Sequence, residues 1–117
     1  MLVEEITDHG AKVRYPFNPQ MIRPGGTLSG PTIMGLADAG MYAAILGSIG
    51  KEEMAVTSQM NIHFLHPPAP TDLIAIAEIV KRGRRSVILE VKLYSKDHPE
   101  VVALVTGTYA LPQRKGS

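Results

Sequence analysis

The sequence predicts an α+β domain in which an antiparallel sheet of five to six strands wraps around one long buried helix. Two patterns carry this prediction. Over 32–46, apolar side chains cover every side of a helical cycle, which is typical of a buried helix. From position 54 onward, apolar and polar residues alternate in segments separated mostly by short turns. The length agrees, because 117 residues suffice for one core, and we assign 1–117 to a single domain.

The first half of the chain supplies one short strand, a long loop and the helix. Only 11–15 resembles a strand before a loop rich in proline and glycine, which occupies 16–30. Ordered loops of that length are often functional. The helix begins sharply, with Ser29 as the capping side chain and Pro31 in the first turn, where no amide hydrogen bond is needed.

The second half of the chain reads as four strands. They are predicted over 54–65, 73–81, 86–95 and 101–111. The second and third of these flank a basic tetrapeptide, Arg82 to Arg85, and together form a hairpin. One helix followed by hairpin-linked strands predicts an antiparallel sheet packed on that helix.

Composition and charge exclude several classes of function. Hydrophobic residues make up 44% and charged residues 20%, which is ordinary for a globular protein. A formal net charge of +1 argues against a binder of duplex nucleic acid with a dedicated basic face. The absence of cysteine removes disulfides, thiolate metal sites and cysteine nucleophiles. The acidic N-terminal segment is unlike a secretory signal, so we expect a cytoplasmic protein with no membrane partner.

Asp38 is the most informative residue, because it is the only charged side chain between Arg23 and Lys51 and it lies within the apolar helix. A lone buried carboxylate is destabilising unless it is paired or neutralised. One interpretation is a structural carboxylate bonded to a backbone amide or an arginine. The other is a general base or nucleophile that faces a cleft.

The start of the helix offers a second chemical feature. Free amides and the helix dipole favour negative charge at Gly30, so a carbonyl placed there would develop its oxyanion against the Gly30 N–H. The same Gly-Pro sequence also suits a simple helix cap. Gly30 and Asp38 are separated by about two helical turns. We expect a site that spans an extended acyl group to accommodate that separation.

The chain resembles the hotdog-fold acyl-CoA thioesterases of the phenylacetate-degradation branch. The resemblance covers about 11–111 and rests on the order and spacing of four runs, GGTLSGPTIMGLADAGMYAAI, VTSQMNIHFLHPP, KRGRRSVILEVKLY and VALVTGTY. It implies that the Gly30 N–H polarises the thioester carbonyl and that Asp38 activates water or attacks directly.

Three positions depart from the family pattern. Ser29 replaces a histidine, Pro31 replaces a second glycine, and Arg23 stands where an asparagine is common. These changes keep the acid and the oxyanion donor but alter the polar groups around the attacking water. We therefore include Arg23 and Ser29 among the predicted substrate-binding residues.

The resemblance also implies a serine or threonine, near the start of the next strand, that completes the site across a dimer interface. Thr57 is the best match and Ser58 is its neighbour. Strand alternation lets only one of them face the site unless a β-bulge intervenes. Thr57 also fits a simple strand-forming role.

A basic hairpin is the third candidate region. Lys81, Arg82, Arg84 and Arg85 surround Gly83. The resemblance places this hairpin near the nucleotide end of coenzyme A, whose phosphates arginine can bind with its forked guanidinium. A solvated hairpin tip is the alternative.

No metal or organic cofactor is expected, and coenzyme A enters only as part of the substrate. His63 and His66 are three residues apart on a predicted strand, so they point to opposite faces and a shared metal is not expected. Exposed sheet edges predict a homodimer and leave a homotetramer open. The rival function is a non-catalytic acyl-CoA or lipid-binding protein in which Asp38 only braces the helix.

Overall fold

The computed structural model describes residues 1–17, 30–49 and 56–111. Within those ranges the chain forms one helix and six strands, and every strand pairing is antiparallel. The sheet order is β1-β2-β4-β5-β6-β3. The elements are β1 (Leu2–Ile6), β2 (Gly10–Tyr15), α1 (Gly30–Ile49), β3 (Val56–Phe64), β4 (Leu73–Arg82), β5 (Ser86–Ser95) and β6 (Val101–Ala110). The predicted fold class is confirmed.

The main difference from the predicted elements is β1. All five of its side chains are exposed, so its sequence carries no alternation from which a half-buried strand could be recognised. The helix is also longer than the predicted 32–46, and it includes Gly30 and Pro31 in its first turn. Ser29, predicted as the cap, and the first two residues of the predicted strand 54–65 lie outside the described residues.

Helix α1 packs against the sheet through small residues. A methyl group at Gly40 would lie 3.6 Å from the Cβ atoms of Ala75 and Ala77 on β4, so the helix and this strand meet at ordinary van der Waals distance. Leu36, Met41 and other apolar side chains complete the core, which fills the space between the helix and one face of the sheet. Among the described residues, the largest fully buried side chains are Leu36, Met41, Ile45, Leu73, Leu89, Leu93, Val13, Val87, Val91 and Val105.

The opposite side of α1 is left uncovered by its own chain, although the sequence is apolar there too. Pro31, Met34 and Gly35 are exposed, and Asp38 and Tyr42 are half-buried. These positions recur every three or four residues and therefore lie on one face of the helix. Asp38 thus lies half-buried at the edge of this exposed face, where side chains of β3 and β6 still reach it.

Within the described ranges no helix is both long enough and apolar enough to cross a bilayer.

The Asp72 carboxylate anchors the end of β2 and the residues that directly follow it. Asp72 accepts a hydrogen bond from the Phe17 amide at 2.6 Å and one from Arg14 Nη1 at 3.3 Å. Arg14 also donates to Glu4 through Nε at 3.0 Å, which ties β1 to the same cluster. The Phe17 amide, followed by the Arg14 guanidinium, holds the pKa of Asp72 below its usual range, and partial desolvation opposes this effect.

We expect Asp72→Asn to lower the melting temperature at pH 7, because asparagine removes the charge that Arg14 and the Phe17 amide stabilise. The folded-state pKa of Asp72 is lowered, so its contribution to stability is present above the unfolded value of about 3.9 and is lost as the pH falls below it. The difference in melting temperature between wild type and Asp72→Asn should therefore shrink towards pH 3. Asp8→Asn, at an exposed turn, is the matched control. A difference that stays constant from pH 7 to pH 3 would contradict this role.

Candidate functional site

Two hydroxyl groups hold the Asp38 carboxylate. Its Oδ1 atom accepts hydrogen bonds from Thr57 Oγ1 at 2.8 Å and from the Tyr109 hydroxyl at 2.6 Å. The same phenol lies 3.2 Å from the Asp38 carbonyl oxygen. In the described part of the chain no arginine, lysine or histidine forms an ion pair with Asp38. Among the described residues, the partners of the carboxylate are thus neutral hydroxyl donors.

The register of β3 on β6 brings the two donors together. Thr57 pairs directly with Tyr109, and directly opposed residues on antiparallel strands present their side chains to the same face. A β-bulge lies between Thr57 and Gln59, so Ser58 is the additional residue. The Ser58 hydroxyl donates to the Thr108 carbonyl at 3.1 Å. The bulge thus lets Thr57 face the helix together with Met60, which would otherwise point to the opposite side.

Tyr109 is the residue of this cluster that sequence reasoning missed. It is 3% exposed and shares the inward face of β6 with Val105 and Gly107. Burial, followed by the hydrogen bond to Asp38, raises the pKa of Tyr109 well above its usual range, so the phenol stays protonated and remains a donor. A signal was available in the sequence, because a phenol within an inward row of small and aliphatic residues requires a polar partner. The sequence did not identify that partner.

Gly30 and Asp38 of one chain are too far apart for both to contact the same carbonyl group. Both residues belong to α1, and the helical rise separates them by about 12 Å along the axis. An oxyanion donor and a base acting on one carbonyl must each lie within about 3 Å of the reacting atoms. The expectation that one chain could use both on the same group therefore conflicts with helix geometry. Arg23 and Ser29 lie outside the described residues.

The basic hairpin lies at the other end of the helix. Arg82 donates through Nη1 to the carbonyl of Ser48 at 3.0 Å and to its hydroxyl at 2.6 Å. A cation at this position complements the negative end of the helix dipole. The turn is closed by the Gly83 amide, which donates to the Ser86 carbonyl at 2.8 Å. Arg84 and Arg85 are exposed at the tip, next to this anchored arginine.

The two histidines considered as metal ligands have different surroundings and do not share a partner. His66 lies 3.5 Å from Glu100, and its Nδ1 lies 3.0 Å from the Val101 carbonyl oxygen, whereas His63 is exposed on β3. Among the residues that the structure describes, no group of three or more acidic or histidine side chains could hold a metal ion.

Comparison with known proteins gives the family. The sequence model of the thioesterase superfamily matches residues 25–102. The chain belongs to the thioesterase superfamily. It is a thioester hydrolase with the hotdog fold, as the resemblance predicted.

Several solved structures have the same fold over nearly the whole of this chain. A Silicibacter protein described as a thioesterase is 34% identical, with a TM-score of 0.84 over 94% of this chain and 77% of that one. A Bacillus halodurans protein solved with CoA is 30% identical, with a TM-score of 0.80 over 97% of this chain and 74% of that one. The phenylacetic acid degradation protein PaaI of Thermus thermophilus is 24% identical and shares the fold, with a TM-score of 0.81 over 94% and 91% of the two chains.

Proposed function

We propose that this thioester hydrolase acts on acyl-CoA, with Asp38 as the general base or nucleophile and the Gly30 N–H as the oxyanion donor. The observation that carries the proposal is the Asp38 carboxylate itself, half-buried at the edge of the exposed face of α1 and held by two hydroxyl donors. The coenzyme A half of the substrate is supported by the Bacillus halodurans relative, whose structure was solved with CoA. The acyl group is left open.

The proposed reaction requires three groups: the Asp38 carboxylate, the Gly30 amide and one water molecule. Asp38 accepts a proton from water, and the hydroxide adds to the thioester carbonyl carbon while the Gly30 amide stabilises the oxyanion. The carbonyl re-forms as the C–S bond breaks, and the proton held by Asp38 passes to the departing thiolate to give free CoA. In the covalent alternative, Asp38 attacks the carbonyl carbon directly and the C–S bond breaks to release the CoA thiolate; water then hydrolyses the mixed anhydride to the free acid and Asp38, and its proton neutralises the thiolate. Neither route requires a metal or an organic cofactor.

The separation between Gly30 and Asp38 supports a site assembled from two copies of the chain. Of the six described strands, β1 and β3 form the sheet edges. A two-fold axis that pairs β3 with its twin would continue the sheet and set the two α1 helices side by side and antiparallel. The beginning of one helix would then approach the middle of the other. Asp38 of one chain would thereby meet Gly30 of the partner subunit on one carbonyl group.

Exposed apolar side chains support the same homodimer. Met34 on α1 is 45% exposed and Phe64 at the end of β3 is 56% exposed, so apolar surface lies on both elements that the pairing would bring together. Pairing of β3 with its twin would remove part of this apolar surface from water. Further pairing into tetramers stays a prediction.

The basic hairpin is proposed to hold the CoA phosphates. Arg84 and Arg85 are exposed and free to reach a ligand, whereas Arg82 and the turn at Gly83 orient the hairpin against the helix end. Ser58 remains a proposed substrate contact, with its hydroxyl oriented by the Thr108 carbonyl.

We expect Asp38→Asn to abolish turnover while the fold and ligand binding persist. Asparagine keeps the shape of the side chain but neither accepts a proton from water nor forms an anhydride, and loss of a base lowers the rate about 100- to 10,000-fold. The measurement is kcat from free thiol release over a panel of acyl-CoAs, with thermal melting and equilibrium binding of the same esters. Glu90→Gln, on the outer sheet face, is the control. A folded Asp38→Asn that keeps wild-type kcat would remove Asp38 from the mechanism.

We expect Arg84→Gln and Arg85→Gln to raise KM for CoA esters by about 2- to 5-fold, the effect typical of exposed charge pairs. The increase should be larger at low salt, because screening weakens exposed charge interactions. Lys92→Gln, on the outer sheet face, is the matched control for loss of one positive charge. A thioester with a short thiol handle lacks the phosphates and should be unaffected. Equal losses on both substrates would mean that the arginines only maintain structure.

A further inference from the structure

The hydrogen-bond pattern at Asp38 distinguishes its two carboxylate oxygens. Both hydroxyl donors, Thr57 and Tyr109, contact Oδ1. A carboxylate oxygen offers about two lone-pair sites, so the acceptor capacity of Oδ1 is filled by these two bonds. The 2.6 Å bond from Tyr109 has the length of a charge-assisted hydrogen bond, and the 2.8 Å bond from Thr57 has the ordinary length for a hydroxyl donor.

We propose that Tyr109 is a positioning residue for hydrolysis: with Thr57 it holds Oδ1 of Asp38, so that Oδ2 is the oxygen that meets water or the thioester. This inference rests on the proposed function of Asp38. Tyr109 itself acts on the substrate only through the carboxylate that it orients.

Tyr109 contacts both the side chain and the main chain of Asp38. Its hydroxyl lies 2.6 Å from Oδ1 and 3.2 Å from the carbonyl oxygen of the same residue. Contact with two points on one residue restricts rotation of the Asp38 side chain. Both hydroxyls donate to the same oxygen, so Thr57 and Tyr109 together fix its position.

The phenol is supported more rigidly than the threonine. Tyr109 is 3% exposed, and its strand is paired on both sides, with Thr57 on β3 and Val87 on β5. Thr57 is exposed and lies beside the bulge. Functional groups placed on packed strands are held more precisely than those placed on less supported segments. The raised pKa of the phenol, caused first by burial, keeps its proton available for donation.

A purely structural phenol and a positioning phenol predict different kinetics. If the hydroxyl only satisfies a buried polar atom, its removal lowers stability and leaves the kcat of folded molecules unchanged. If it orients the base, its removal lowers kcat while substrate affinity changes little, because the lost interaction matters mainly in the transition state.

The test is Tyr109→Phe, which keeps the ring and removes the donor. We expect kcat per folded molecule to fall about 10- to 100-fold, the size of effect that follows from a misplaced catalytic group. KM should stay within about 2-fold of wild type. Tyr94→Phe is the matched control, because Tyr94 lies on the opposite face of the sheet, paired with Ile74. A folded Tyr109→Phe with wild-type kcat would overturn the proposal.

Thr57 provides the second arm of the test. Thr57→Val removes the other donor at an exposed position that tolerates substitution, and it should also lower kcat, whereas Thr57→Ser should retain it. If Tyr109→Phe fails to fold, Thr57→Val decides: wild-type kcat in that variant would overturn the proposal that the two hydroxyls orient Asp38 through Oδ1. Asp38→Asn separates the two proposals. If it abolishes turnover while Tyr109→Phe keeps wild-type kcat, only the positioning role fails; if it keeps turnover, the proposed function fails as well.

Discussion

The Asp38 carboxylate is the constraint around which the site is organised. A helix that is otherwise apolar carries one charge, and that charge must receive hydrogen bonds once water is partly removed. The sheet supplies them from two strands through Thr57 and Tyr109. Within the described residues, both donors are neutral and both contact Oδ1.

Sheet register makes this arrangement possible. Tyr109 lies opposite Thr57, and the bulge at Ser58 is what turns Thr57 towards the helix while Met60 also packs inward. A shift of one residue would turn the inward side chains of β3 to the other face. The bulge therefore serves the site as well as the sheet, and the hydrogen bond from Ser58 to the Thr108 carbonyl fixes it.

Much of the fold could be predicted from hydrophobic periodicity. The helix and four strands bury at least one face, and a buried face leaves a regular pattern of apolar residues in the sequence. Strand β1 could not be predicted, since it buries no side chain. Asp38 was evident as a lone charge, and Thr57 entered through family resemblance. The position of Tyr109 beside Thr57 and Asp38 depends on the register of β3 on β6, which a β-bulge shifts. No local sequence pattern encodes that register. The contact between Arg82 and Ser48 was likewise hidden, because it joins a hairpin to a helix end distant in sequence.

The central claim is that one catalytic centre combines Asp38 of one chain with Gly30 of the partner subunit. Subunit mixing tests it directly, using Asp38→Asn and Gly30→Pro, the latter removing the amide donor at a helix start where proline is tolerated. Each variant alone should be nearly inactive. After refolding together, half of the dimers should be mixed and should carry one intact centre, restoring about a quarter of wild-type activity. Light scattering that shows dimers, combined with no recovery of activity in the mixture, would contradict the account.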